Sequence, residues 1–190
     1  MSAHRIRRPL ITLLAGLVAL LGAPLVNAAP ASANVLAAQV CYDNSQAGVF
    51  ASTANQAASI WNNSTSNVRL SRCGTNIRIY VVYGGGSYAV RTSLGNGRVY
   101  IDYYQAQQYS PLRIMSHELG HILGLPDNYN GNCAILMSGG SAGTSCTNPY
   151  PSTSEAAQVD YLFRGYRIAG DTGTQVFRDS WPASAMALTG

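Results

Sequence analysis

The eleven residues His117-Glu118-Leu119-Gly120-His121-Ile122-Leu123-Gly124-Leu125-Pro126-Asp127 hold three side chains able to bind a metal and a fourth able to take a proton. Histidines four apart lie one turn apart on the same helix face, and the glutamate beside the first reaches a water held in front of the metal. Apart from His4 these are the only histidines in the chain. Gly124, three residues after His121, lets the chain turn sharply because a residue without Cβ adopts left-handed conformations cheaply, and the turn carries Asp127 back toward the pair. The expected chemistry is hydrolysis at Zn2+ held by His117, His121 and Asp127, with a fourth position open to water and Glu118 as base. A bare H-E-x-x-H pentapeptide is also compatible with a merely hydrogen-bonded histidine pair. The helix, glycine and carboxylate around this one favour the metal.

Those residues need a helix to present them. Ser110 is a good N-cap and Pro111 suits the first helical position, where its missing N–H costs nothing. The helix is expected to run to Leu123, with Gly124 closing it and Pro126 forbidding continuation. Before it, Val35 to Tyr42 reads as a first strand and Gly48 to Trp61 as a helix, with Val49, Thr53, Ala57 and Ile60 at helical spacing. Val68 to Leu70 and Ile77 to Tyr83 read as strands, and this strand, helix, strand order implies a parallel pair with a crossover. Gly95-Asn96-Gly97 signals a turn, after which Arg98 to Tyr104 alternates as a further strand. Asn130 to Pro151 is rich in Gly, Ser, Asn and Pro and reads as a long irregular segment. A last helix is expected from Ser152-Thr153-Ser154-Glu155, a capping box.

Arg5, Arg7 and Arg8 precede an apolar run from Leu10 to about Val26 and then small residues, the three-part pattern of a secretory signal. Residues 1–29 are therefore expected to be removed, with cleavage between 28 and 34, and the protein to be secreted and free of membrane. The loss leaves nine arginines against eight acids, a net charge of +1, and the chain has no lysine. Nothing in that balance asks for a nucleic acid partner, since the remaining arginines are scattered. About 155 residues suffice for one domain and not comfortably for two.

Cys41, Cys73, Cys133 and Cys146 all fall in the exported part, where thiols oxidise, so two disulfides are expected. Four cysteines allow three pairings, and order alone does not choose among them. A Cys133 to Cys146 bridge would close a short loop after the metal motif and contribute on the order of 3 kcal/mol, leaving Cys41 with Cys73.

The pattern H-E-x-x-H-x-x-G-x-x-D resembles the metzincin zinc endopeptidases, which usually carry histidine in the last place. With aspartate there it is similar to the snapalysin group, the small secreted neutral proteases of Streptomyces. Ile60-Trp61-Asn62, Gln107-Gln108-Tyr109, Leu136-Met137-Ser138-Gly139-Gly140 and Ser145-Cys146-Thr147-Asn148-Pro149-Tyr150 carry the likeness further, over roughly residues 40 to 166. The resemblance implies an α+β fold: a metzincin-like zincin with a mixed twisted sheet, an active-site helix carrying the motif, a Met-turn at Met137 and a C-terminal helix. It makes 35–166 the zinc metallopeptidase domain; residues 167–190, beyond it, show neither helical nor strand periodicity and read as a flexible C-terminal tail. It implies that Tyr129 donates its phenol to the developing oxyanion. Cys133 and Cys146 match the group's disulfide, whereas Cys41 and Cys73 look additional to it.

Substrates implied in this way are proteins or peptides, cut before an aromatic residue by a monomer, with the peptide lying along Arg98 to Tyr104 as an edge strand. Some members bind calcium through an acidic residue before the zinc helix. Ser110 and Leu112 stand there in this chain, which makes Ca2+ doubtful. Two other readings compete with this one. Glu155, the only other glutamate, would serve as third ligand in a thermolysin-like set, and a secreted zinc-holding binding module would need no base such as Glu118.

Overall fold

The computed structural model describes residues 36–165 and 173–178. The expected signal segment, 1–29, lies outside them. The elements are β1 (Ala38–Gln46), α1 (Ala51–Ser64), β2 (Val68–Ser71), β3 (Ile77–Val82), β4 (Tyr88–Ser93), β5 (Asn96–Asp102), α2 (Pro111–Ile122), α3 (Thr153–Leu162) and β6 (Gln175–Arg178). A short 3-10 turn, Gly48–Phe50, leads into α1, and a kinked one spans Leu136–Ala142. The class is α+β.

One mixed sheet carries the strands in the order β2-β1-β3-β5-β4-β6. β1 lies parallel to both β2 and β3, and β3 parallel to β5, while β4 runs antiparallel to β5 and β6. The crossover expected from strand, helix, strand order is the β1-α1-β2 unit. Alternation decides which strand face is covered: Val40, Ile77, Ile79, Val99 and Ile101 are buried, as period-2 geometry requires of a sheet packed on helices. Trp61 of α1, fully buried, donates its indole N–H to the Ser116 carbonyl at 2.9 Å and so fixes α1 against α2 one residue before His117.

Two expectations are corrected. The strand read as Arg98 to Tyr104 is β5, and it is not an edge: β3 and β4 flank it, with Val99 opposite Ile79 on one side and Ala89 on the other. The outer partner, β4, escapes pattern reading because Ala89 is its only fully buried residue, so apolar alternation is weak. It reaches β5 through a two-residue turn at Leu94-Gly95, with Ser93 opposite Asn96. The flexible tail expected over 167–190 is described only at 173–178, and there Gln175–Arg178 pairs with β4 as β6. Four residues are too few to display a period. Their order comes from the main-chain partners that β4 offers along its outer edge.

The two disulfides join Cys41 to Cys73, tying β1 to the loop after β2, and Cys133 to Cys146, closing the segment that follows the motif. Asp102, at the end of β5, accepts from the N–H groups of Gly84, Gly86 and Tyr104, so its carboxylate organises the turn after β3. No helix among the described residues is long and apolar enough to cross a membrane.

Candidate active site

α2 begins as its sequence dictates, with the Ser110 side chain accepting from the Arg113 N–H and Pro111 in the first turn. Every residue from Arg113 to Ile122 is buried, so His117, Glu118 and His121 stand inside the molecule on a helix that cannot shift easily. At its C-terminus the Gly124 N–H bonds the His121 carbonyl and the Leu125 N–H bonds the Gly120 carbonyl, each at 3.0 Å, the two bonds of a Schellman motif. Gly124 has φ +108°, and a Cβ there would lie 2.5 Å from Leu162 Cδ1. The turn also serves the site. It swings the Leu125 carbonyl onto His121 Nδ1, at 2.9 Å.

His117 is oriented in the same way by a different segment, its Nδ1 bonding the Leu136 carbonyl at 3.1 Å. A carbonyl only accepts, so both Nδ1 atoms carry the proton and both Nε2 lone pairs point into the site. Burial pushes the His121 pKa down, outweighing the pull of Asp127, and keeps that ring neutral. The two Nε2 atoms lie 3.0 Å apart. Asp127 Oδ1 lies 3.4 Å from His117 Nε2 and 3.2 Å from His121 Nε2, and among the described residues it has no hydrogen-bond donor. Burial opposes ionisation of Asp127, but hydrogen bonding and positive charge from the imidazoles, once either ring takes up a proton, outweigh it and hold the carboxyl well below the usual carboxylate range. With both rings neutral, three electron-rich atoms converge here; a proton taken up between a ring and Asp127 relieves that arrangement, and so does a metal ion, for which His117, His121 and Asp127 are a suitable group.

Sequence reasoning missed what holds the Leu136 carbonyl in place. Arg113, one turn before His117 and 1% exposed, sends its guanidinium into the loop, donating to the carbonyls of Asn148 at 2.6 Å and Ile135 at 2.9 Å and to Ser138 Oγ at 2.9 Å. Glu155 grips the same loop from the other side, accepting from the N–H groups of Leu136 at 3.1 Å and Met137 at 2.7 Å while completing the capping box of α3 with Ser152. Its carboxylate is therefore committed to backbone donors, which removes it as the alternative third ligand. The signal available for Arg113 was its spacing: an arginine four residues before His117 sits on the same face of the helix as the two histidines.

Met137 is buried against Gly120, where an added Cβ would meet Met137 Sδ at 2.8 Å and Trp61 Cζ2 at 3.2 Å. Only glycine at 120, between His117 and His121, lets Met137 and Trp61 approach the helix so closely. Tyr129, two residues beyond Asp127, is 43% exposed. A cavity of about 260 Å³ opens beside Asp127 and Met137, lined also by Pro126, Asn128, Ile135 and Gln158.

Residues 37–166 match the family model described as Streptomyces extracellular neutral proteinase (M7). The chain belongs to that family. Within the match fall α2, Asp127, Met137 and both disulfides, whereas β6 lies beyond it. Curated members similar to the chain are the extracellular small neutral proteases of Streptomyces lividans, 44% identical over 139 residues, and of Streptomyces caespitosus, 47% identical over 127. The first match covers 71% of this chain and 61% of the relative, and the second 65% and 96%. A protein of the same description from Streptomyces coelicolor is 45% identical over 136 residues, covering 70% of this chain and 63% of the relative.

Proposed function

We propose that the protein is a secreted zinc endopeptidase that hydrolyses peptide bonds in proteins. The observation carrying this reading is the convergence of two unprotonated Nε2 atoms and one carboxylate oxygen beside Glu118. Their separations of 3.0, 3.2 and 3.4 Å suit three corners of a tetrahedron, whose edges measure roughly 3.3 Å when the ligands stand about 2.0–2.1 Å from zinc. Two neutral imidazoles, one carboxylate and the open fourth corner are a catalytic rather than a structural donor set.

His117, His121 and Asp127 would hold a zinc ion, which would supply Lewis acidity toward the attacking water and the scissile carbonyl. Glu118 follows His117 on α2 and is fully buried. It takes the proton from the attacking water and returns it to the leaving amine. Tyr129 donates its phenol to the oxyanion, the role its offset from Asp127 suggests. Met137 forms the Met-turn floor beneath the ligands, in keeping with its burial against Gly120. The cavity beside Asp127 and Met137 receives the residue after the scissile bond, with a preference for an aromatic ring.

Secretion rests on the signal pattern of residues 1–29 and on the extracellular relatives. The domain is assigned to 35–166, working as a monomer on protein or peptide substrates without nucleic acid, membrane or Ca2+. The test is casein digestion before and after chelation. Activity should vanish with the metal and return with stoichiometric zinc, whereas undiminished digestion by the metal-free protein would end the proposal.

A further inference from the structure

β6 runs antiparallel along the outer edge of β4, with Gln175 opposite Arg91, Val176 opposite Val90, Phe177 opposite Ala89 and Arg178 opposite Tyr88. It lays the Phe177 ring on the His121 imidazole, centroids 4.3 Å apart and planes 13° from parallel. Arg91 clamps the pair: its guanidinium lies over the Phe177 ring at 4.9 Å, donates to the His121 carbonyl at 2.7 Å and bonds Gln175 Oε1. Arg178 caps the Tyr88 ring at 4.8 Å. Phe177 is the half-buried residue of the strand, while its neighbours Val176 and Arg178 are exposed. An open strand edge beside a hydrolytic centre is where an extended peptide gains main-chain hydrogen bonds, with alternate side chains turned toward the site. Here the chain itself lies there.

We propose that Gln175–Arg178 is a built-in competitor of substrate: it takes the β4 edge a substrate would pair with and covers His121 with Phe177, restraining the full chain until the segment is displaced or removed. The inference rests on the peptidase reading above and adds to it a regulatory segment outside the family match. Tethering makes a weak competitor effective. A short tether gives an effective concentration on the order of 1 mM, so a segment that binds in trans with a Kd of about 0.1 mM would hold the groove closed roughly ten to one.

The experiment compares the full protein with Phe177→Ser and with a form ending at Thr172, measuring bound zinc and hydrolysis of a short fluorogenic peptide. Both variants should show KM lowered about tenfold at unchanged kcat, the signature of a lost competitor. A synthetic peptide of residues 173–178 should inhibit the shortened form competitively, and the same peptide with serine for Phe177 should not. Zinc-loaded Phe177→Ser with the parent's kcat/KM, or no inhibition by the added peptide, would overturn the inference and leave the peptidase reading standing. Zinc-loaded forms that all fail to hydrolyse would remove the peptidase reading, and this inference with it.

Discussion

His117 and His121 ride on a helix buried along its length from Arg113 to Ile122, whereas Asp127 and Tyr129 stand on chain without regular structure, Asp127 with 23% of its side chain exposed and Tyr129 with 43% of the residue exposed. The helical half needs little outside help, because a capped start, a Schellman end and the packing of Trp61 and Met137 determine where its side chains point. The other half is positioned from a distance. Arg113, Glu155 and the Cys133 to Cys146 bridge hold the Leu136 to Asn148 segment, and the Asn128 N–H bonds the Met137 carbonyl at 2.8 Å, tying the Asp127 arm to it. A site can therefore be rigid in both halves although only one is an element of secondary structure.

The comparison breaks most visibly at the proposed ligands. Replacing His121 or Asp127 by alanine should each weaken zinc by more than the about 10–100-fold typical of losing an outer partner, as read by competition with a chelating dye. Asp127→Ala with parental affinity would show the irregular arm to be a bystander. Next in size is Arg113→Met, which strips the loop of its guanidinium while leaving α2 its apolar bulk. It should cost about 3 kcal/mol in urea unfolding and about tenfold in zinc affinity. Unchanged unfolding would mean that the disulfide and Glu155 suffice to hold the loop.

The smallest effect is acid sensitivity of the metal-free protein. Burial lowers the His121 pKa, so between that value and the ordinary one near 6.5 the unfolded chain binds more protons than the folded one. Stability is thus fully present above about pH 6.5 and declines as pH falls below it. The lowered Asp127 pKa acts in the same direction only in stronger acid, present above the ordinary value near 3.9 and lost below it. Urea titrations at about pH 7 and 5 should therefore show a modest loss, and a gain at the lower pH would contradict the buried neutral imidazole.

What could be read from sequence follows the same division. Ser110-Pro111, the four-residue histidine spacing and Gly124 specify α2 locally, and the Ser152 to Glu155 box specifies α3. The strands β1, β2, β3 and β5 were legible, and β4 and β6 were not. β4 buries fully only Ala89, and β6 is four residues long, so neither advertises itself by period, and β5 was misread as an edge in consequence. Spacing could place Arg113 on the His117 face of α2, but not the loop partners of Arg113 and Glu155, which are backbone groups about 20 residues away in sequence, a relation that spacing within one element does not encode.

The central claim, that this cluster is a hydrolytic metal site with Glu118 as its base, is tested most directly by Glu118→Gln in the purified protein, measuring zinc content and casein hydrolysis together. One zinc per chain, with proteolysis reduced by about 10²–10⁴-fold, is the result predicted for loss of a general base beside an intact ligand set. Undiminished proteolysis by the zinc-loaded variant would contradict it.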